Sequence, residues 1–167
     1  MHQDLLYIIA EVSVTLAGFS GVVFILGRRS EGKFSIKERN GLFHLLFTTC
    51  GNMLVALIVA ACLGFAVSEA IAWRIGCGLI ALFVLVGVAR AFAEERRGEH
   101  SLPGPLAWPV PIIALLLALA NLAAGLGMWP TNAAVIWVSL SIYLLFVSVC
   151  YFASLLVPET PEERSDS

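Results

Sequence analysis

Leu5–Gly27, LLYIIAEVSVTLAGFSGVVFILG, sets the fold class of this chain. Its 23 residues hold a single ionisable side chain, Glu11, and no proline. As a helix it would reach about 34 Å, enough to cross a hydrocarbon core of about 30 Å. An open strand there would leave backbone N–H and C=O groups unpaired in lipid, so the reading is a transmembrane helix.

Four more stretches share this character: Leu42–Val67, Ile71–Ala93, Pro109–Met128 and Asn132–Val157, of 20 to 26 residues each. The composition agrees. Apolar residues make up 59% of the 167-residue chain and charged residues 13%, against roughly 45–50% and 25% in ordinary globular domains. A chain this small cannot bury such an excess in its own interior, because small domains hide a smaller share of their surface. A net charge of −2 excludes a general nucleic-acid binder. The expected fold is therefore an all-α membrane protein with five transmembrane helices in one domain, residues 1–157. A disordered acidic cytoplasmic tail, residues 158–167, follows it.

Boundary residues refine the division. Ser35-Ile36-Lys37-Glu38 is a capping box that starts the second helix ahead of its apolar run. Pro103, Pro105, Pro109 and Pro111 form a stiff lead-in, with the fourth helix starting at one of the last two. Gly125, Gly127 and Pro130 mark its end. The links Ser68–Ala70 and Trp129–Thr131 are short enough to make helices two and three, and four and five, antiparallel hairpins behind a single first helix. With the N-terminus outside, nine of the ten basic residues fall inside: Arg28, Arg29, Lys33, Lys37, Arg39, Arg90, Arg96, Arg97 and Arg164. Only Arg74 falls outside, so the positive-inside rule predicts N-out/C-in. Residues 1–4 carry no Lys or Arg and the basic cluster follows the apolar run, which fits an uncleaved anchor and not a signal peptide. Tyr7, Trp73, Trp108, Trp129 and Tyr151 fall near the expected interfaces.

Ionisable and polar groups inside a span are costly, and each is a functional candidate. Glu11 leads. With Thr15 and Gly18 it shares one helix face by the i, i+4, i+7 rule, and Ala10, Ala17 and Gly21 form a small-residue ridge beside it. Such ridges let backbones approach closely, so this face is expected against protein. Two readings of Glu11 stand side by side: an ion or proton site, or an ion pair with Arg74 at similar depth. On the second helix His44, Thr48, Gly51 and Asn52 form a stripe suited to a helix contact or a wetted pathway. His44 lies near its inner end, where a backbone or headgroup hydrogen bond is the plainer role, and Asn52 lies mid-span, where an interhelical hydrogen bond is. Ala114, Ala118, Asn121 and Gly125 line one face of the fourth helix as a packing seam with a polar latch. Cys50, Cys62, Cys77 and Cys150 all fall within spans without a Cys-x-x-Cys pair or His partners, so small apolar packing is their reading and no metal is expected. The five basic residues of Arg28–Gly41 serve orientation and attraction to anionic headgroups.

The string Glu11-Val-Ser-Val-Thr15-Leu-Ala-Gly18-Phe-Ser-Gly21 resembles the opening of uncharacterised small multipass membrane proteins from bacteria. The resemblance covers about a dozen residues. It implies a bacterial inner (plasma) membrane location and brings no function with it.

Phosphate-binding, zinc-protease and nucleophile-elbow motifs are absent, no span contains an aspartate, and only His44 of three histidines is near lipid. An enzyme is disfavoured, and no cofactor is expected. The expected function is a homo-oligomeric channel or pore for ions or small solutes, associating through the small faces of helices one and four, with Glu11, Thr15, His44, Thr48, Asn52 and Asn121 nearest the pathway. The alternative is a non-conducting accessory or scaffold subunit bound to another membrane protein. Either way the lipid bilayer is the first partner and nucleic acid is none.

Overall fold

The computed structural model describes residues 2–31, 36–65, 67–97 and 108–156, and every regular element among them is a helix. They are α1 (His2–Glu31), α2 (Ile36–Gly64), α3 (Glu69–Arg96), α4 (Pro109–Gly125) and α5 (Ala133–Leu156). Four carry a stretch long and apolar enough to cross a membrane: Asp4–Val22, Arg39–Gly64, Glu69–Arg96 and Ala133–Leu155. The fifth, α4, is apolar but has 17 residues. Ser35, the side chain of Glu38, Pro103, Pro105 and the 158–167 tail lie outside the described residues.

Several helices overrun their apolar stretches, and others stop short of them. α1 continues past Gly27 to Glu31, α2 starts at Ile36 ahead of Leu42, and α3 runs past Ala93 to Arg96. Intrahelical hydrogen bonds do not require apolar side chains, so charged flanks stay helical where nothing breaks them. α2 instead ends at Gly64, short of Val67, and α4 at Gly125, short of Met128. The stop in α4 is local chemistry. Gly127 takes a left-handed φ of 90°, and its N–H donates to the Ala124 carbonyl at 2.9 Å. Glycine adopts that conformation without a Cβ penalty. Pro109 opens α4 at the position where a missing N–H costs nothing.

Helices α2 to α5 form an up-down-up-down ring in which each packs on the next and α5 closes onto α2, while α3 and α5 also touch across the middle. The sense of each pair is fixed by its contacts. His44 near the start of α2 meets Glu94 near the end of α3, Asn121 late in α4 meets Ile136 early in α5, and Thr48 meets Ser148. α1 is not solitary: it lies against α2 and more lightly against α5, and among the described residues it touches neither α3 nor α4. We call the end where α2 and α4 start and α3 and α5 finish the basic end, since Arg39, Arg90, Arg96 and Arg97 gather there.

The core centres on Trp137, fully buried and beside Trp73 with ring centroids 5.8 Å apart, with Val59, Ile80, Ala118 and Leu140 around it. Small residues set the helix spacing. A Cβ at Gly125 would stand 3.0 Å from the backbone N of Gly78, so α4 and α3 approach to backbone contact there. The outer surface is the reverse of a soluble protein's. Val14, Phe19, Leu54, Leu82, Leu116, Val135, Ile142 and Phe146 are all exposed. An apolar belt of this extent requires an apolar surrounding.

Candidate functional site

The antiparallel pairing of α2 and α3 brings together residues that are 50 apart in sequence. His44 Nε2 lies 2.7 Å from Glu94 Oε2, and the other carboxylate oxygen accepts from Arg90 Nε at 2.9 Å, one turn back on α3. His44 is 4% exposed and Glu94 7%. With Glu94 ionised the carboxylate has only lone pairs to offer, so the imidazole Nε2–H donates. Arg90 remains half-exposed, and its guanidinium carbon sits 3.8 Å from the centroid of the Phe43 ring. The long arginine stem spans from the bundle surface to the buried carboxylate, and the ring face attracts the cation. His44 is held from the other side by Tyr151, stacked 5.3 Å away and nearly parallel.

This cluster caps a cavity inside the ring of α2 to α5. The cavity is only partly enclosed, and its surface is mostly carbon. Phe47 and Phe83, stacked with centroids 4.1 Å apart, form one wall; Val88, Val110 and Leu144 contribute to the others. The hydroxyls here are spoken for. Tyr143 donates to the Val110 carbonyl at 2.8 Å, and Thr48 bonds its own helix and Ser148. Chemically the place offers one imidazole backed by a buried carboxylate, at the end of an apolar chamber. Among the described residues no group of three His, Cys, Asp or Glu is placed to hold a metal.

The polar residues expected near one pathway separate into different places. Thr48, Asn52 and Asn121 are turned into the ring, where they tie helices together. Asn52 Nδ2 donates to the Ser141 carbonyl at 3.4 Å, and Asn121 Nδ2 to the carbonyls of Leu117 at 3.0 Å and Ile136 at 3.2 Å. Asn52 Oδ1, Asn121 Oδ1, Ser141 Oγ and Trp137 Nε1 stay buried without a protein partner. The seam on α4 forms as its spacing predicts, with Ala114, Ala118 and Asn121 buried, but it is used against α3 and α5 within the chain. That face is therefore not open to a second copy.

Glu11 is placed differently. α1 meets the rest of the chain through Leu6, Ile9, Ala10, Ser13 and Ser20, all buried. At about 100° per residue, Glu11, Thr15 and Gly18 lie on roughly the opposite face. Glu11, Thr15 and Gly18 are all exposed there. A Cβ added at Gly18 or Gly21 would meet nothing within 4 Å. Among the described residues, no other helix of the chain covers this face. Nor do Glu11 and Arg74 pair. Arg74 Nε donates to the Gly125 carbonyl and Nη2 to that of Leu126, each at 3.3 Å, so this cation caps the end of α4. Small residues on two sides of α1 made either face a fair candidate for close packing; the larger apolar side chains Leu6 and Ile9 decide between them.

Sequence reasoning missed the cluster that Glu94 and Arg90 make with His44, since Arg90 counted only toward orientation. The available signal was their i, i+4 spacing at the end of an apolar helix, opposite a histidine at the start of its hairpin partner. Trp73 and Tyr151, expected near membrane interfaces, are buried within the bundle. All four cysteines are free, and Cys77 Sγ donates to the Ala133 carbonyl at 3.3 Å.

The fold and these sites define an all-helical protein with membrane-compatible helices. No family model, curated protein or solved structure matches the chain.

Proposed function

We propose that the protein is a bacterial inner-membrane protein with five spans, N-out/C-in, that assembles with copies of itself through the uncovered face of α1. In that assembly it works as a channel or pore for ions or small polar solutes, and not as an enzyme. The observation that carries this reading is the exposure of Glu11 and Thr15, beside Gly18, on a helix face that α2 to α5 leave bare. A charged side chain at the middle of a bilayer costs on the order of 3 kcal/mol, and Glu11 stands seven residues inside the apolar stretch that begins at Asp4. Neighbouring protomers meeting along this face would gather their carboxylates into a polar, cation-attracting passage, and the glycines would allow the close approach. His44, Thr48, Asn52 and Asn121 then stiffen each protomer and do not line the passage.

The fifth span is supported by the path of α4. It runs along α3 from the contact of Trp108 with Phe92 to that of Gly125 with Gly78. Its 17 residues reach about 26 Å, and the apolar turn that follows supplies the rest. The ring's alternating sense, which puts most described basic residues at one end, supports the orientation.

A second reading rests on the same geometry. Asn52 and Asn121 are buried within the protomer while Glu11 faces outward, as it would in an accessory subunit paired with a basic side chain of another membrane protein. Two measurements separate the readings. A channel gives oligomers by native mass spectrometry and cation flux in liposomes that Glu11→Gln reduces. An accessory subunit gives monomers, no flux, and a second protein in stoichiometric amount on purification. A protein that stays monomeric and alone refutes both.

A further inference from the structure

The chamber capped by His44 lies within the ring of α2 to α5, apart from the bare face of α1, so its occupancy does not depend on assembly. It spans residues 83 to 91 of α3 and 143 to 151 of α5, about 12 Å along the bundle. Its lining is of the kind found in small-molecule sites, which are mostly apolar with a few fixed polar groups. Two features narrow the occupant. The walls carry aromatic rings, Phe47, Phe83, Tyr143 and Tyr151, whose faces and edges favour another ring. The polar atom left for a ligand is on His44. Its Nε2 is engaged by Glu94, the hydroxyls of Thr48 and Tyr143 are bonded to protein, and Nδ1 makes no hydrogen bond to a described residue. Glu94 and Arg90 fix the ring's orientation from behind, as a partner on one imidazole nitrogen sets what the other offers.

We propose that this chamber binds a flat lipophilic molecule with a hydroxyl head, of the hydroxyaromatic class, with the hydroxyl donating to His44 Nδ1 and the apolar part among the rings. A membrane delivers such molecules and excludes strongly hydrated ones. Ala91 lies half-buried on the wall of the chamber and takes no part in the hydrogen bonds of the charged cluster, so a larger side chain there blocks the space without removing them.

The test uses the whole protein in nanodiscs, titrated with 4-decylphenol and, in parallel, with decanol. The phenol is expected to raise the melting temperature saturably and decanol to leave it unchanged, because decanol has no ring to pack among the aromatic walls. Ala91→Phe and His44→Gln are expected to weaken the phenol at least tenfold. A photoreactive azide of the same phenol is expected to label peptides that contain residues 83–91 or 143–151. An equal response to decanol, no saturation, undiminished affinity in Ala91→Phe, or labelling confined to other peptides would each overturn the assignment. The labelling result decides the matter even if a variant fails to fold.

Discussion

The substitution Gly125→Ala adds one methyl group at the closest approach of two helices. Its Cβ would lie 3.0 Å from Gly78 N and 3.2 Å from both Gly78 Cα and the Arg74 carbonyl oxygen. All three are backbone atoms of α3, so no side-chain rotation relieves the contact. Carbon contacts are comfortable at about 3.5–4.0 Å, which requires α4 to withdraw by roughly half an ångström. Withdrawal loosens the Ala118 and Ala124 seam and stretches the two Arg74 hydrogen bonds, both already 3.3 Å. Overpacking costs about 1–3 kcal/mol and a lost carbonyl partner about 1, against up to about 1 gained in helix propensity. The net is a loss of about 1–3 kcal/mol, which for a chain of this size lowers the melting temperature by roughly 3–10 °C. The assay is a thermal melt by near-UV circular dichroism at fixed detergent and protein concentration. Gly18→Ala is the control, since nothing lies within 4 Å of its Cβ, and it is expected to hold the parent's melting temperature. If Gly125→Ala melts within about 1 °C of the parent, the backbone contact between α3 and α4 is not where the structure places it.

Glu94→Ala removes the shared partner of His44 and Arg90 and is expected to cost about 3 kcal/mol or more, whereas Arg90→Ala, at a half-exposed side chain, costs about 1 or less; comparable losses in denaturant titrations would contradict the buried pairing. Gly127→Ala forces a Cβ into a left-handed φ beside the Arg74 guanidinium, for about 1–2 kcal/mol in the same melts. Asn52→Leu exchanges a long hydrogen bond and an unpaired oxygen for apolar packing, so stability should change by less than about 1 kcal/mol; a large loss would show that the amide is better satisfied than its geometry indicates. Gly18→Leu is expected to leave the monomer's melt intact while dissociating the oligomer in native mass spectra, and persistence of the oligomer would remove α1 from the interface.

Much was legible from sequence because it is decided locally. Helix existence depends on apolar run length against the reach of a helix, and helix ends on Pro109 and Gly127, whose backbone chemistry acts within a residue or two. The seam of Ala114, Ala118 and Asn121 emerged from periodicity alone, since a face of small side chains has little to do except pack. The face expected to meet a second copy is filled by α3 and α5, because periodicity identifies a packing face without saying which chain fills it.

The remaining decisions belong to the tertiary structure. Whether Glu11 meets protein or the outside depends on which side of α1 the α2 surface accepts, and that is a comparison of packing energies between whole faces. Arg74 finds the end of α4 because α3 lies beside α4 and not beside α1, a fact of helix arrangement that no spacing records. His44, Glu94 and Arg90 meet because a hairpin turn superposes the start of one helix on the end of the next. Near-neighbour interactions along the chain were enough to make apolar helices and to stop them. Which polar groups are enclosed was settled in the folded bundle, since enclosure is set by residues far apart along the chain.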